Sequence, residues 1–200
     1  MQHFKEVKHL LRYLAATADY TLVYDSSHDN ESMEIEPKLI GYCDVDLAND
    51  MNERKSISGY VFKLGNSCIS WKSTKQSIVA LSTVEAEYVS ASEAAREAMW
   101  WRQFLNELGF DMAAPTTIFS DSQGGIRLTK NPEFHKRTKH IDIKYHFVRN
   151  KVQENQIILE YIHSKEMIAD ALTKPLPRDQ HHYLIGKMGI RPDASFAGRC

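Results

Sequence analysis

The chain is short of cysteine, of long apolar runs and of net charge. Its three cysteines, Cys43, Cys68 and Cys200, are widely spaced, odd in number and form no CxxC pair. That pattern excludes a disulfide framework and a zinc ribbon, and it fits a reducing compartment. No apolar run approaches the ~18 residues that a membrane span needs. The opening MQHFKEVKHLLRYL mixes charges into its apolar positions, unlike a signal peptide. Together these absences predict a soluble, intracellular chain with no membrane partner. Lys and Arg total 25 and Asp and Glu 26, a formal net charge of -1. Domains that hold nucleic acid usually carry a basic excess, so the sum alone disfavours such a partner. A sum hides segregation, however.

What the 200 residues do contain is globular material. Hydrophobic residues at 42% and charged ones at 26% suit one packed domain with an appendage. Phe4, Val7, Leu11 and Leu14 recur at helical spacing, with lysines between them. The short apolar patch Tyr20 to Tyr24 follows, then DSSHDNESMEIEP, which lacks periodicity and reads as a linker. These shifts divide the chain into a leading segment at 1–37, a compact domain at 38–190 and a tail at 191–200. An opening helix without an evident partner, set before a linker, fits a piece of a longer polyprotein.

From Lys38 onward the elements alternate in a definite order. KLIGYCDVDL, SGYVFKLG and SCISWKS are short runs rich in β-branched and aromatic residues, and Gly65-Asn66 between the last two signals a hairpin. Ser82 stands three residues before Glu85, a capping-box spacing. Val84, Tyr88, Ala91, Ala95, Ala98, Leu105 and Leu108 then mark the strongest helix, with Gly109 placed to end it. TTIFS is a fourth strand that runs into Asp121, with a short helical stretch after it. Ile141, Tyr145, Val148 and Val152 mark a further helix, IILEYI a fifth strand, and Ser164 opens a last helix that stops at Pro175. Three antiparallel strands followed by alternating helix and strand predict a mixed α/β sheet covered by helices.

Several acids fall where an acid is costly. Asp44 and Asp46 lie two apart in the first strand of the compact domain and so share a face. Asp121 ends the fourth strand, and Asp170 sits inside the apolar stretch MIADAL. At 100° per residue, Glu87 falls in the apolar arc of the long helix while Glu85 falls outside it. The capping box accounts for Glu85, and nothing local accounts for Glu87. Two unit charges ~5 Å apart at an effective dielectric of ~20 repel by roughly 3 kcal/mol. Such a group must protonate, pair with Lys or Arg, or bind a hard cation. No Lys or Arg adjoins Asp44, Glu87 or Asp170 in this reading, and all-oxygen ligation favours magnesium or manganese over zinc. Two such ions suit phosphodiester hydrolysis. Plainer readings stay open residue by residue: Asp121 as a helix cap, Asp46 as a turn residue, Asp170 as a surface residue.

LIGYCDVDLAND, RKSISGYVFKLGNSCISWKSTKQSIVALSTVEAEYVSASEAARE, FSDSQGGIRLTKNPEFHKRTKHIDIKYHFVR and IADALTKPL resemble the ribonuclease H domain of copia-type LTR-retrotransposon polyproteins. The resemblance runs from about Leu39 to Leu184, and its blocks STVEAEY, HKRTKHIDIKYHF and ADALTK are highly specific. HLLRYLAATADYTLVY is similar to the segment that joins reverse transcriptase to that domain. The resemblance implies a ribonuclease H fold, a five-stranded mixed sheet with helices on both faces and an acidic two-metal centre of magnesium, or manganese in its place. It implies Asp44, Glu87, Asp121 and Asp170 as catalytic and metal-binding residues. Strand parity does not choose between Asp44 and Asp46; the resemblance favours Asp44 and leaves Asp46 as an auxiliary. It also implies a histidine before the last aspartate that aids product release, for which His163 is the nearest candidate. Leu47 stands where the family usually has Trp, and Ser122 where it often has Asn; neither change removes a ligand.

Charge is segregated. Between Gly124 and Lys151 stand Arg127, Lys130, Lys136, Arg137, Lys139, Lys144, Arg149 and Lys151 against only Glu133 and Asp142. Residues 29 to 50 carry Asp29, Glu31, Glu34, Glu36, Asp44, Asp46 and Asp50 against Lys38. The near-zero sum is therefore a cancellation of two regions. Lys136, Arg137, Lys139, His140 and Lys144 are the expected phosphate contacts, which position a duplex without reading its sequence. Trp71 reads as a core residue first and a sugar-packing one second. His135, His140 and His146 have no cysteine pair beside them, so zinc is unsupported. The expected function is hydrolysis of the RNA strand of RNA–DNA hybrids, beside a reverse transcriptase domain in cytoplasmic virus-like particles. The rival is a non-catalytic hybrid-binding scaffold that supports the polymerase.

Overall fold

The computed structural model describes residues 2–24, 38–50, 52–130 and 142–193. Helix α1 (Gln2–Ala16) and strand β1 (Tyr20–Leu22) precede a three-strand meander, β2 (Leu39–Asp46), β3 (Ile57–Leu64) and β4 (Ser67–Lys75). The long helix α2 (Thr83–Glu107) follows, then β5 (Thr116–Ser120), α3 (Gln123–Lys130), α4 (Asp142–Gln153) and β6 (Ile157–Tyr161). A 3-10 turn (Ser164–Glu166), the short α5 (Asp170–Thr173), α6 (Arg178–Lys187) and β7 (Ile190–Pro192) complete the described chain. No helix among the described residues is long and apolar enough to cross a membrane.

The main sheet has the order β4-β3-β2-β5-β6. β2, β3 and β4 pair antiparallel, while β2–β5 and β5–β6 pair parallel. This is the mixed five-stranded sheet that the strand pattern predicts. Helices cover both faces. On one face Leu39, Cys43, Phe62, Ile118 and Ile157 pack against the alanine-rich side of α2 and against Ile126 and Val148 of α3 and α4. On the other, Val61 and Cys68 pack under Met167, Ile168 and Ala169, under Leu184 of α6 and under Met188 just after it.

Helix α2 is built as its sequence suggests. Ser82 is the N-cap, and its hydroxyl accepts from the Glu85 N–H at 3.2 Å. The return bond differs from a standard capping box: Glu85 Oε2 accepts from Leu81 N–H, one residue earlier. At the far end Gly109 adopts φ +92, its N–H bonds Asn106 O and the Phe110 N–H bonds Leu105 O, a Schellman closure that needs glycine. Glu85 is buried although it lies outside the apolar arc, because the first turns of α2 are covered on every side from Glu85 to Ser92.

Two expectations need correction. The segment after Ser164 is not one helix to Pro175 but a 3-10 turn and one turn of α5, and α6 beyond it went unread. Trp71 is no core residue: it is 52% exposed on β4, an edge strand of the sheet. β1 pairs antiparallel with β7 in a separate two-stranded sheet, Tyr20 opposite Pro192 and Leu22 opposite Ile190. Residues read as leading segment and tail are thus strand partners. Tyr13 and Tyr20 also make ring contacts with His181 and His182 of α6. Even so, the apolar stripe of α1, comprising Phe4, Val7, Leu10, Leu11 and Leu14, is left uncovered.

Candidate active site

Parallel pairing of β2 and β5 creates the site. Tyr42 lies opposite Phe119, and continuing that register by two residues sets Asp121 level with Asp44. Both acids then stand where the two strands end, the place where open α/β sheets hold ligands. Helix α2 supplies the third acid. The Ser90 hydroxyl donates to the Asp44 carbonyl at 2.7 Å and pins the helix to the strand, with Glu87 one turn before that pin. Asp44, Glu87 and Asp121 each present an oxygen within 4.8 Å of the others. Asp44 is 1% exposed and Glu87 8%, while Asp121 is partly open.

The fourth expected acid, Asp170, opens α5 and is 5% exposed. Its carboxylate faces Lys174, whose Nζ lies 3.1 Å from Asp170 Oδ1 and 3.5 Å from Asp44 Oδ2. The expectation that no basic group adjoins these acids was wrong, because Lys174 returns to Asp170 at i+4 from the end of α5. The Thr173 hydroxyl also donates to Asp44 Oδ2. Sequence reasoning missed both residues; their place right after ADAL was the available signal.

Close packing makes this arrangement possible. Gly59 lies opposite Asp44 on β3, and a methyl there would stand 2.7 Å from Thr173 Cγ2 and 3.2 Å from Leu172 Cβ. Gly59→Ala is expected to destabilise the fold by about 1–3 kcal/mol, because α5 must back away from the sheet. Urea denaturation with and without Mg2+ checks it, and the stabilisation by Mg2+ should shrink as Thr173 leaves Asp44.

The plainer readings of single acids can now be weighed. Asp121 does not cap α3: Ser122 does, its hydroxyl accepting from the Gly125 N–H at 3.1 Å. The Asp121 carboxylate instead accepts from Ser164 Oγ at 2.8 Å. Asp170 is buried, not a surface residue. Asp46 ends β2 half-buried and lies outside the close triad. His163 is exposed and caps the 3-10 turn, its Nδ1 accepting from the Lys165 N–H. Of the expected phosphate contacts, Lys144 lies half-buried on α4, whereas Lys136, Arg137, Lys139 and His140 lie outside the described residues.

Electrostatics mark the cluster as strained without a cation. Burial first, then the charges of Asp44 and Asp121, push the Glu87 carboxyl up to about 8. Asp170 is likewise well above the usual carboxylate range, through burial and the charge of Asp44, with Lys174 opposing. Glu87 Oε2 is buried without a hydrogen-bond partner among the described residues. An orphaned carboxylate oxygen beside two further carboxylates is a donor set that a hard divalent cation fits.

Comparison with known proteins bears on what this geometry belongs to. No family model matches the chain. It is 41% identical over 179 residues, 90% of its length, to the retrovirus-related Pol polyprotein from transposon TNT 1-94 of Nicotiana tabacum. The chain belongs with the ribonuclease H domains of copia-type Pol polyproteins. It spans 12–13% of the length of the curated relatives it matches. Among solved structures, LC11 ribonuclease H1 in complex with an RNA/DNA hybrid superposes with a TM-score of 0.51 at 18% identity, over 68% of this chain and 94% of that one. The foamy viral protease-reverse transcriptase in complex with RNA/DNA hybrid gives 0.51 at 17% identity, over 80% of this chain and 22% of that one. The ribonuclease H fold of this domain is thereby shown. Its four expected acids fall near the end of β2, just past the end of β5, on the second turn of α2 and at the start of α5.

Proposed function

We propose that this ribonuclease H domain is a metal-dependent endonuclease that hydrolyses the RNA strand of RNA–DNA hybrids during reverse transcription of a retrotransposon. The observation that carries the reading is the convergence of Asp44, Glu87 and Asp121 oxygens within 4.8 Å in a ribonuclease H fold. These three would hold one ion, and Asp44 with Asp170 would serve a second. When bound, magnesium, or manganese in its place, supplies a water activated for in-line attack on phosphorus and stabilises the leaving 3′ oxygen. The chain's own groups orient the acids: Thr173 holds Asp44, Ser164 holds Asp121 and Ser90 fixes the turn that carries Glu87. Discrimination of RNA from DNA is assigned to 2′-hydroxyl contacts across the minor groove. The basic residues Lys136, Arg137, Lys139, His140 and Lys144 would hold phosphates.

A scaffold that only supports the polymerase is the second reading. What favours it is α1, whose uncovered apolar stripe suits packing against another part of a Pol polyprotein. The two readings share that partner, and both put the domain in cytoplasmic virus-like particles. They part on catalysis. The purified chain, given a labelled RNA–DNA hybrid with Mg2+ or Mn2+, is expected to cut the RNA strand alone and to stop in EDTA. A hybrid that is bound but left intact in both metals rejects the nuclease.

A further inference from the structure

We infer that Lys174 is a built-in countercation of the acidic site, which ties Asp44 to Asp170 and competes with the second of two metal ions for the space beside them. The inference rests on the metal-binding reading of the acids given above. Lys174 Nζ lies within 4 Å of both carboxylates, and both are buried almost completely.

The backbone presents this lysine firmly. Lys174 is the C-cap of α5, its N–H bonding the Asp170 carbonyl, and it is extended at φ -140 and ψ 153. Pro175 follows and restricts Lys174 to that extended region. Thr173, one residue earlier, donates to the same Asp44 oxygen that Lys174 faces. A surface lysine that pairs by chance has none of this support.

The consequence is an unequal site. Among the described residues neither Glu87 nor Asp121 forms an ion pair with a Lys or Arg, so on their side of Asp44 a cation has no ammonium at contact distance to displace, and meets only the more distant charge of Lys174. On the Asp170 side it must displace an ammonium. A positive charge at that distance repels the incoming cation, and the partial exposure of Lys174 screens part of that repulsion. Binding should therefore be sequential, the second ion being the weaker.

Mn2+ titration of the purified chain by calorimetry, with thermal melting in EDTA, tests this on wild type, Lys174→Met and Lys174→Arg. The second ion should bind at least about tenfold tighter to Lys174→Met, with a smaller change for the first. Without metal, Lys174→Met should melt below wild type and Lys174→Arg should not. A folded Lys174→Met with second-ion affinity and metal-free melting like wild type overturns the inference. If no protein binds Mn2+, the metal-site reading itself fails. Lys174 is then judged on melting alone, and an unchanged Lys174→Met overturns its role as countercation.

Discussion

Asp121→Asn is expected to lower hybrid cleavage by about a thousandfold or more while leaving hybrid affinity within about twofold. The substitution is nearly isosteric, and the amide oxygen can still accept from Ser164 Oγ, so the turn after β5 keeps its shape. What disappears is the charge that completes the triad with Asp44 and Glu87. Two carboxylates and an amide would hold a hard divalent cation poorly, and the activation of water that the cation would supply would be lost with it. Folding should not suffer, since the charge of Asp121 is one of those that disfavour ionised Glu87. Single-turnover cleavage of a labelled hybrid and fluorescence anisotropy on the same preparation separate the two effects. Equal loss of cutting and binding would mean that Asp121 holds the duplex instead, and no change in either would favour the scaffold.

The second large effect concerns stability. The Glu87 carboxyl titrates near 8 in the fold against 4.5 unperturbed. Between those values the folded chain retains a proton that the unfolded chain releases, so stability falls as pH rises through the window. Asp170 shifts in the same direction. His181 works the other way, since burial lowers its pKa and protonation at lower pH costs stability. The carboxyl effect is larger, on the order of 5 kcal/mol for a shift of this size. In EDTA the protein is therefore expected to melt higher near about pH 6 than near about pH 8.5. Mg2+ should raise melting strongly at the higher pH and weakly at the lower, because the cation replaces the proton. Glu87→Gln has no proton to lose there and should flatten the metal-free profile. Melting curves of wild type in EDTA that do not change across this range would refute the account.

Legibility followed the strength of local signals. β2, β3 and β4 were readable because β-branched and aromatic runs alternate with a clear hairpin, and α2 because its alanines keep a strict period over many turns. Glu87 was readable for the same reason: an acid on an apolar arc stands out against a regular background. Asp44 and Asp46 share a face, so periodicity was silent between them, and only the resemblance to a known family separated them. The elements that escaped are short. β1 and β7 have three residues each, and α5 is a single turn. Their conformation is set by partners far away in sequence. Lys174 escaped because its contact with Asp44 spans the whole domain. Trp71 misled because an aromatic on a strand favours burial, whereas β4 is an edge strand.

The pairing of β1 with β7 ties the start of the described chain to its end. β7 follows α6, whose Leu184, with Met188 just after the helix, shares an apolar cluster with Met167 and Ala169, just ahead of α5. Thr173 and Lys174, at the end of α5, reach Asp44, the residue whose carbonyl Ser90 of α2 bonds. One continuous run of contacts thus leads from β1 through α6 and α5 to the strand that joins both layers at the acids.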